Sequence, residues 1–430
     1  MKHVPVLLTL ATALAPLGAA RADDATFKAY GFADVELVKQ TFHSNNFLIN
    51  NGTENPNTQL YLDHLNTYLD WKPNANVRML AEIALNPEPT QTYSAGTILQ
   101  LAPGVTRTAS QPTKSTKSDW IELERVHADL LLGDEVNVRV GKFITPAGIW
   151  NVDHGSPAIL TIKQPYETSY LPMFPESQTG AQIFGHTSAG EHDLSYATWV
   201  STGRSGSKIT GTGQYGPNPE NLDDWAVGTH LQANLAYLDG IRLGGSFQTG
   251  TLRDAWEWAT IPVGATGIDL AKETTIQVDS AYMREFCYGL DTKMEWKHFL
   301  LQAEWNHRQI LDLQSPDHSE TNLNAWYVLA GRRFPLGASF DVTPYAMYER
   351  LTWTGVDNNP GLHLAQIPIK GFSNYIGGVN FGIFGNVRLK VEYSYAKMFS
   401  RPLPTGSNAN SYTDDDLVTN QYSAQVSVAF

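Results

Sequence analysis

Cysteine is almost missing from this chain: Cys287 stands alone among 430 residues, so no internal disulfide can hold the fold. Basic residues are in deficit, with 30 Lys and Arg against 43 Asp and Glu and a formal charge of −13. That balance argues against nucleic-acid partners. Beyond Leu17 no apolar run reaches the roughly 18 residues that a membrane-spanning helix needs, and helical periodicity is scarce. The histidines contain no H-x-x-x-H pair of the kind that binds zinc, and no G-x-S-x-G nucleophile elbow occurs. No cofactor, resident metal or catalytic group is implied. A chain of this size without helices or cross-links must take its stability from sheet.

The N-terminus sets the compartment. Lys2 precedes an apolar run from Val4 to Leu17, broken by Pro5, Thr9, Thr12 and Pro16, and Ala20-Arg21-Ala22 offers a cleavage site. Residues 1–22 therefore read as a secretory signal peptide, and residues 23–430 as the mature unit. Without Lys2 and Arg21 the formal charge becomes −15.

A two-residue period recurs along the mature sequence. In 386–396, Val387, Leu389, Val391, Tyr393 and Tyr395 alternate with Arg388, Lys390, Glu392 and Ser394. In 225–249, two such segments flank Leu238-Asp239-Gly240, with Gly228, His230, Gln232, Arg242, Ser246 and Gln248 on the polar face. Each strand thus has one apolar and one wet face. The connections alternate as well. Tight turns are expected at 72–76, 133–135, 188–191, 238–240, 296–298, 334–338 and 384–386. Longer polar loops fall near 39–59, 87–118, 146–177, 203–224, 253–274, 312–320, 355–370 and 401–419. A soluble sandwich has no reason to sort its connections this way, whereas an outer-membrane barrel puts short turns in the periplasm and long loops outside.

About sixteen strands follow from this count, beginning at Phe27. The last segment, 420–430, reads NQYSAQVSVAF, with Tyr422, Ala424, Val426, Val428 and Phe430 alternating with polar residues. In hydrocarbon every backbone polar group must be paired, so the last strand is expected to close on the first, 27–38, leaving no edge. The fold class is all-β: a closed antiparallel transmembrane barrel in the Gram-negative outer membrane, with its third long loop folded into the lumen. That loop, 146–177, is richer in Trp, Tyr, Leu, Ile and Phe than an exposed loop should be. The terminal segment resembles the signature that assembly machinery reads in outer-membrane proteins. Membrane lipid, lipopolysaccharide and small hydrophilic solutes complete the expected partners.

Arg139, Gly141-Lys142-Phe143, Thr145-Pro146 and Gly148-Ile149-Trp150, within 136–151, resemble the strand and turn of porins similar to the phosphate-selective O/P group. The resemblance implies a passive channel, commonly a homotrimer, with basic residues in a constriction. Phosphate selectivity is not carried over, because the basic clusters of a dedicated phosphate site are not evident.

The polar faces place Arg78, Arg125, Arg139, Arg242, Arg308, Arg333 and Arg388 inward, since lipid-facing arginine would cost about 2–4 kcal/mol at the midplane. Two arrangements are open. The inward charges either brace the wall in pairs, or Arg78, Arg125, Arg139 and Arg242 face the loop acids Asp153, Glu167 and Glu176 across the lumen, with His154 and Lys163 on the same loop. Gly211-Thr212-Gly213-Gln214-Tyr215-Gly216 fits a dinucleotide fingerprint by letter, but Pro217 and Pro219 forbid the helix it needs. Asp414-Asp415-Asp416 reads as a solvated run rather than a calcium loop. A barrel enzyme of lipase or protease type remains the alternative. A plugged 22-strand transporter is excluded by the early first strand.

Overall fold

The computed structural model describes residues 25–43, 58–85, 100–102, 105–106, 121–153, 155–165, 173–202, 204–205, 225–236, 240–254, 259–261, 274–276, 281–313, 320–354, 369–400 and 417–430. The expected signal peptide at 1–22, the glycine-rich 211–216 stretch and Asp414–Asp416 lie outside them.

Sixteen antiparallel strands form one sheet. They are β1 (Thr26–His43), β2 (Thr58–Asn74), β3 (Val77–Leu85), β4 (Ile121–Leu131), β5 (Asn137–Ile144), β6 (Ser177–Ala189), β7 (His192–Ser201) and β8 (Ala226–Leu235). The second half comprises β9 (Ile241–Asp254), β10 (Ala281–Trp296), β11 (Phe299–Asp312), β12 (Glu320–Arg332), β13 (Phe340–Thr354), β14 (Ile369–Ile383), β15 (Val387–Ser400) and β16 (Leu417–Ala429). Two-residue extensions, Arg204–Ser205 and Phe334–Pro335, pair with β9 and β13.

Each strand pairs with its sequence neighbours, and β16 pairs with β1 from Phe32↔Ala429 to His43↔Val418. Beyond that ladder the main chains of Gly31 and Phe430 exchange two hydrogen bonds of 2.9 Å. The sheet is closed, as the alternating sequence requires of a chain with an apolar exterior. Six of the seven tight turns fall where the sequence placed them, and 238–239 of the seventh lie outside the described residues. In two of them a pair of successive residues takes left-handed backbone, Lys297 (φ 43°) with His298 (φ 73°), and Phe384 (φ 52°) with Gly385 (φ 82°). Such paired positive φ values match the twist of two-residue hairpins.

The period-two pattern resolves into an outer and an inner surface. Val35, Leu37, Val140, Ile183, Val200, Leu231, Leu243, Leu290, Val391 and Val426 are exposed. Their strand neighbours Glu36, Gln248, Lys390, Glu392 and Gln425 are buried toward the inside. Trp296, Trp305, Trp326, Tyr375 and Tyr393 all lie on the exposed face. Around the second half of the barrel the aromatics touch across strands: Trp326 to Tyr348 at 5.0 Å, Tyr348 to Tyr375 at 4.8 Å, and Tyr393 to Tyr422 at 5.0 Å between centroids. Amphipathic rings favour that level of a bilayer. Cys287 faces inward and is fully buried.

Candidate solute pathway

The connection between β5 and β6 begins with a fixed neck. Thr145 N donates to Glu176 O at 2.9 Å. The Asn151 amide donates to Thr145 O at 2.7 Å and Glu176 O at 3.2 Å, and Gln178 Nε2 reaches Thr145 Oγ1 at 2.8 Å. From this neck the chain makes its contacts with strands far around the barrel.

Four attachments hold it there. Trp150 N donates to Glu304 Oε1 on β11 at 2.9 Å, and Tyr327 Oη on β12 donates to the same oxygen at 2.6 Å. Ile162 N donates to Glu392 Oε2 on β15 at 2.8 Å, and Tyr345 Oη on β13 does so at 2.8 Å. Lys390 Nζ donates to the carbonyls of Ser156 at 2.6 Å and Thr161 at 2.9 Å. Lys163 Nζ lies 2.9 Å from Glu36 Oε1 on β1 and 3.3 Å from Tyr61 Oη on β2. The two carboxylate–tyrosine pairs are alike: each buried carboxylate takes one main-chain N–H and one phenol, which offsets the desolvation of its charge.

Apolar packing supports the polar contacts. Trp150 is 2% exposed and meets Tyr327 edge-on at 6.5 Å, in a cluster with Leu329, Tyr345, Met347 and Ile376. Ile159 and Leu160 pack against the same cluster. The inner face of β12–β14 therefore carries an apolar patch among polar residues such as Glu349 and Asn374, a feature the polar-inside reading did not anticipate. A signal for it exists: Ala325–Ala330 reads AWYVLA, apolar on both faces, as strands covered on both sides do. Gly148, at φ +70°, lets the chain pass Glu304, because a Cβ there would stand 2.1 Å from a carboxylate oxygen.

Six of the seven inward arginines are paired with carboxylates of the wall. Arg78 and Asp70 form a bidentate pair at 2.9 Å, and Arg139 binds Asp129 bidentately at 2.7 and 3.0 Å. Arg125 Nε lies 2.6 Å from Glu82, and Arg308 binds Glu285 at 2.9 Å in a fully buried pair. Arg333 and Arg388 share Asp341 at 2.9 and 3.2 Å. In all six pairs the carboxylate belongs to a strand of the barrel. Arg242 differs: its Nε has no hydrogen-bond partner among the described residues. Of the loop residues, Asp153 is exposed and Glu176 serves the neck through its carbonyl. His154 and Glu167 lie outside the described residues.

Two register shifts add acidic groups that periodicity alone does not place. In β2 the pairing jumps from Asp34↔His64 to Val35↔Leu62, which makes Asp63 an extra residue; in β4 the same happens at Glu124. Asp34, Asp63 and His64 bring ligand-type atoms within 4.8 Å of one another. His64 is committed to Asp34, through its main-chain N at 3.1 Å and its ring Nδ1 at 3.0 Å. Beside this cluster, burial alone would lower the Lys163 ammonium, but the facing Glu36 carboxylate holds it well above the ordinary lysine range.

No family profile and no curated protein matches this sequence. Solved structures do match in fold. OmpT of Vibrio cholerae, in its trimer form, superposes with a TM-score of 0.53 at 11% identity, over 95% of this chain and 100% of that one. The outer-membrane channel DcaP of Acinetobacter baumannii gives 0.53 at 10% identity, over 96% and 99%. An anion-selective porin from Comamonas acidovorans gives 0.51 at 8% identity, over 95% and 100%. At such identities the likeness concerns architecture: this chain has the closed sixteen-strand barrel fold of outer-membrane porins.

Proposed function

We propose that this chain is a passive diffusion channel of a Gram-negative outer membrane, passing small hydrophilic solutes or ions down their gradients. The carrying observation is the 145–163 segment, fastened to the inner wall by Glu304, Glu392, Lys390 and Glu36. A loop held inside a barrel narrows its bore, and a bore lined by fixed charges discriminates among ions. The paired arginines stiffen the wall, while Arg242 is left to act on permeating solute. The O/P-type stretch at 136–151 and the anion-selective neighbour support the porin reading without naming the solute.

A homotrimer fits the same reading. The aromatic ladder occupies β9–β16, whereas the large apolar residues exposed on β3–β7, including Met79, Val126, Val140, Ile183 and Val200, carry no aromatic ring. We assign the aliphatic side to neighbouring copies and the aromatic side to lipid. Purified protein in a planar bilayer tests the channel reading: stepwise current in groups of three supports it. Its absence from folded protein would leave the barrel-enzyme alternative.

A further inference from the structure

Outside the loop attachments, the inner wall carries a second polar site at the periplasmic side, near the β6–β7 turn. A cavity of about 300 Å³ is lined by Asn137, Gln182, Phe184, Ser195 and His230, among others. Gln182 is 4% exposed, and its Oε1 has no hydrogen-bond partner among the described residues. A buried acceptor of this kind is costly unless a donor meets it.

The neighbouring strands carry a second polar set, which meets the cavity's lining at His230. Gly244 on β9 pairs with Gln232 on one side and Asp291 on the other. With no side chain at Gly244, the Asp291 carboxylate lies over that position: a Cβ there would stand 2.2 and 2.4 Å from its two oxygens. Asp291 is thereby turned across β9 toward β8, and it shares its field with His230 and Arg242. It is 6% exposed, yet neither oxygen has a hydrogen-bond partner among the described residues, and neither has Arg242 Nε. His230, whose Nδ1 meets Ser246 Oγ at 2.8 Å, lines the cavity and joins the two sets.

We infer that this surface is a binding subsite for small neutral polyols. The inference rests on the channel reading and names a solute class for it. Gln182 Oε1 and Asp291 require donors, and Arg242 Nε requires an acceptor; a hydroxyl supplies either role. An anion is disfavoured by Asp291 and a cation by Arg242, and the remaining polar groups (Asn137, Ser195, His230) are amide, hydroxyl and imidazole. Phe184 supplies an apolar surface for the C–H face of such a solute. The volume suits a single small molecule.

Calorimetric titration of the folded, detergent-solubilised full chain with sorbitol tests this. Saturable binding is expected, weakened about tenfold or more in Gln182→Ala and in Asp291→Ala. Gly244→Ala, which displaces the Asp291 carboxylate without removing it, is expected to weaken binding likewise. Altered mobility on heating identifies the folded samples. Absence of saturable sorbitol heat, unchanged affinity in all three folded variants, or tighter binding of phosphate or glycine at this site would overturn the inference. Because the titration needs no current, a conducting protein that ignores sorbitol loses only the subsite, and a non-conducting one that binds it loses only the channel.

Discussion

The main-chain N–H of Trp150 and the carboxylate of Glu304 meet at 2.9 Å across 154 residues of sequence. No local preference brings them together. The barrel does, because β5 leads into the loop on one side of the cylinder and β11 presents Glu304 on its inner face. The same carboxylate takes the Tyr327 phenol at 2.6 Å, so the attachment is part of the wall's own hydrogen-bonding.

Glu304→Ala combined with Glu392→Ala should release the loop while keeping the barrel. Each loses a charge-assisted bond to a loop amide, worth about 1.5–3 kcal/mol. Amide exchange at Trp150 and Ile162 should accelerate by roughly 10- to 100-fold with the strand amides unchanged. Equal acceleration everywhere would mean that these carboxylates hold the whole fold instead.

Gly148→Ala tests the close passage. A Cβ would meet Glu304 at 2.1 Å on a backbone at φ +70°, so the loop must shift. A cost of about 1–3 kcal/mol is expected in the loop's local opening, measured by the same exchange experiment. Exchange identical to the parent would show that the loop bends freely there.

On β16, Val426 is exposed to lipid and Gln425 is buried inside. Val426→Arg should destabilise by about 2–4 kcal/mol near the midplane and reduce the heat-modifiable band on a gel. Gln425→Ser should assemble normally. Matching effects from the two would reverse the assignment of faces.

The Lys163–Glu36 contact carries a pH prediction. The folded Lys163 is raised above its unfolded value, so its stabilisation is fully present below the ordinary lysine pKa and is lost as pH rises through the higher folded one. The contribution of this contact to exchange of the amides flanking Lys163 should therefore be flat between about pH 6 and about pH 9 once corrected for intrinsic rate. Lys163→Met should raise that exchange at every pH. A step near neutrality in the parent would point to a different titrating group.

The cylinder was legible because its signal is local: a period of two puts Val426 out and Gln425 in, and turn chemistry separates short connections from long. That the loop packs on protein was legible from composition, since Trp150, Ile159 and Leu160 would be unfavourable in water and pack with Tyr327, Tyr345 and Met347. The partners of the charges were not. Whether Arg139 meets Asp129 or a loop acid depends on register between β4 and β5, and elsewhere the extra residues Asp63 and Glu124 shift the β1–β2 and β3–β4 registers without altering composition. The apolar patch inside β12–β14 was hidden for a related reason: Tyr327, Leu329 and Met347 belong to the loop's packing, and only the loop's position shows which side of the strand it covers.

The unitary conductance of the parent and of the Glu304→Ala/Glu392→Ala variant, compared in one planar bilayer system, bears most directly on the whole account. A barrel narrowed by a fastened segment predicts discrete steps in both, larger and noisier in the variant. Steps of the same size would contradict the role given to residues 145–163, and folded protein without steps would contradict the channel itself.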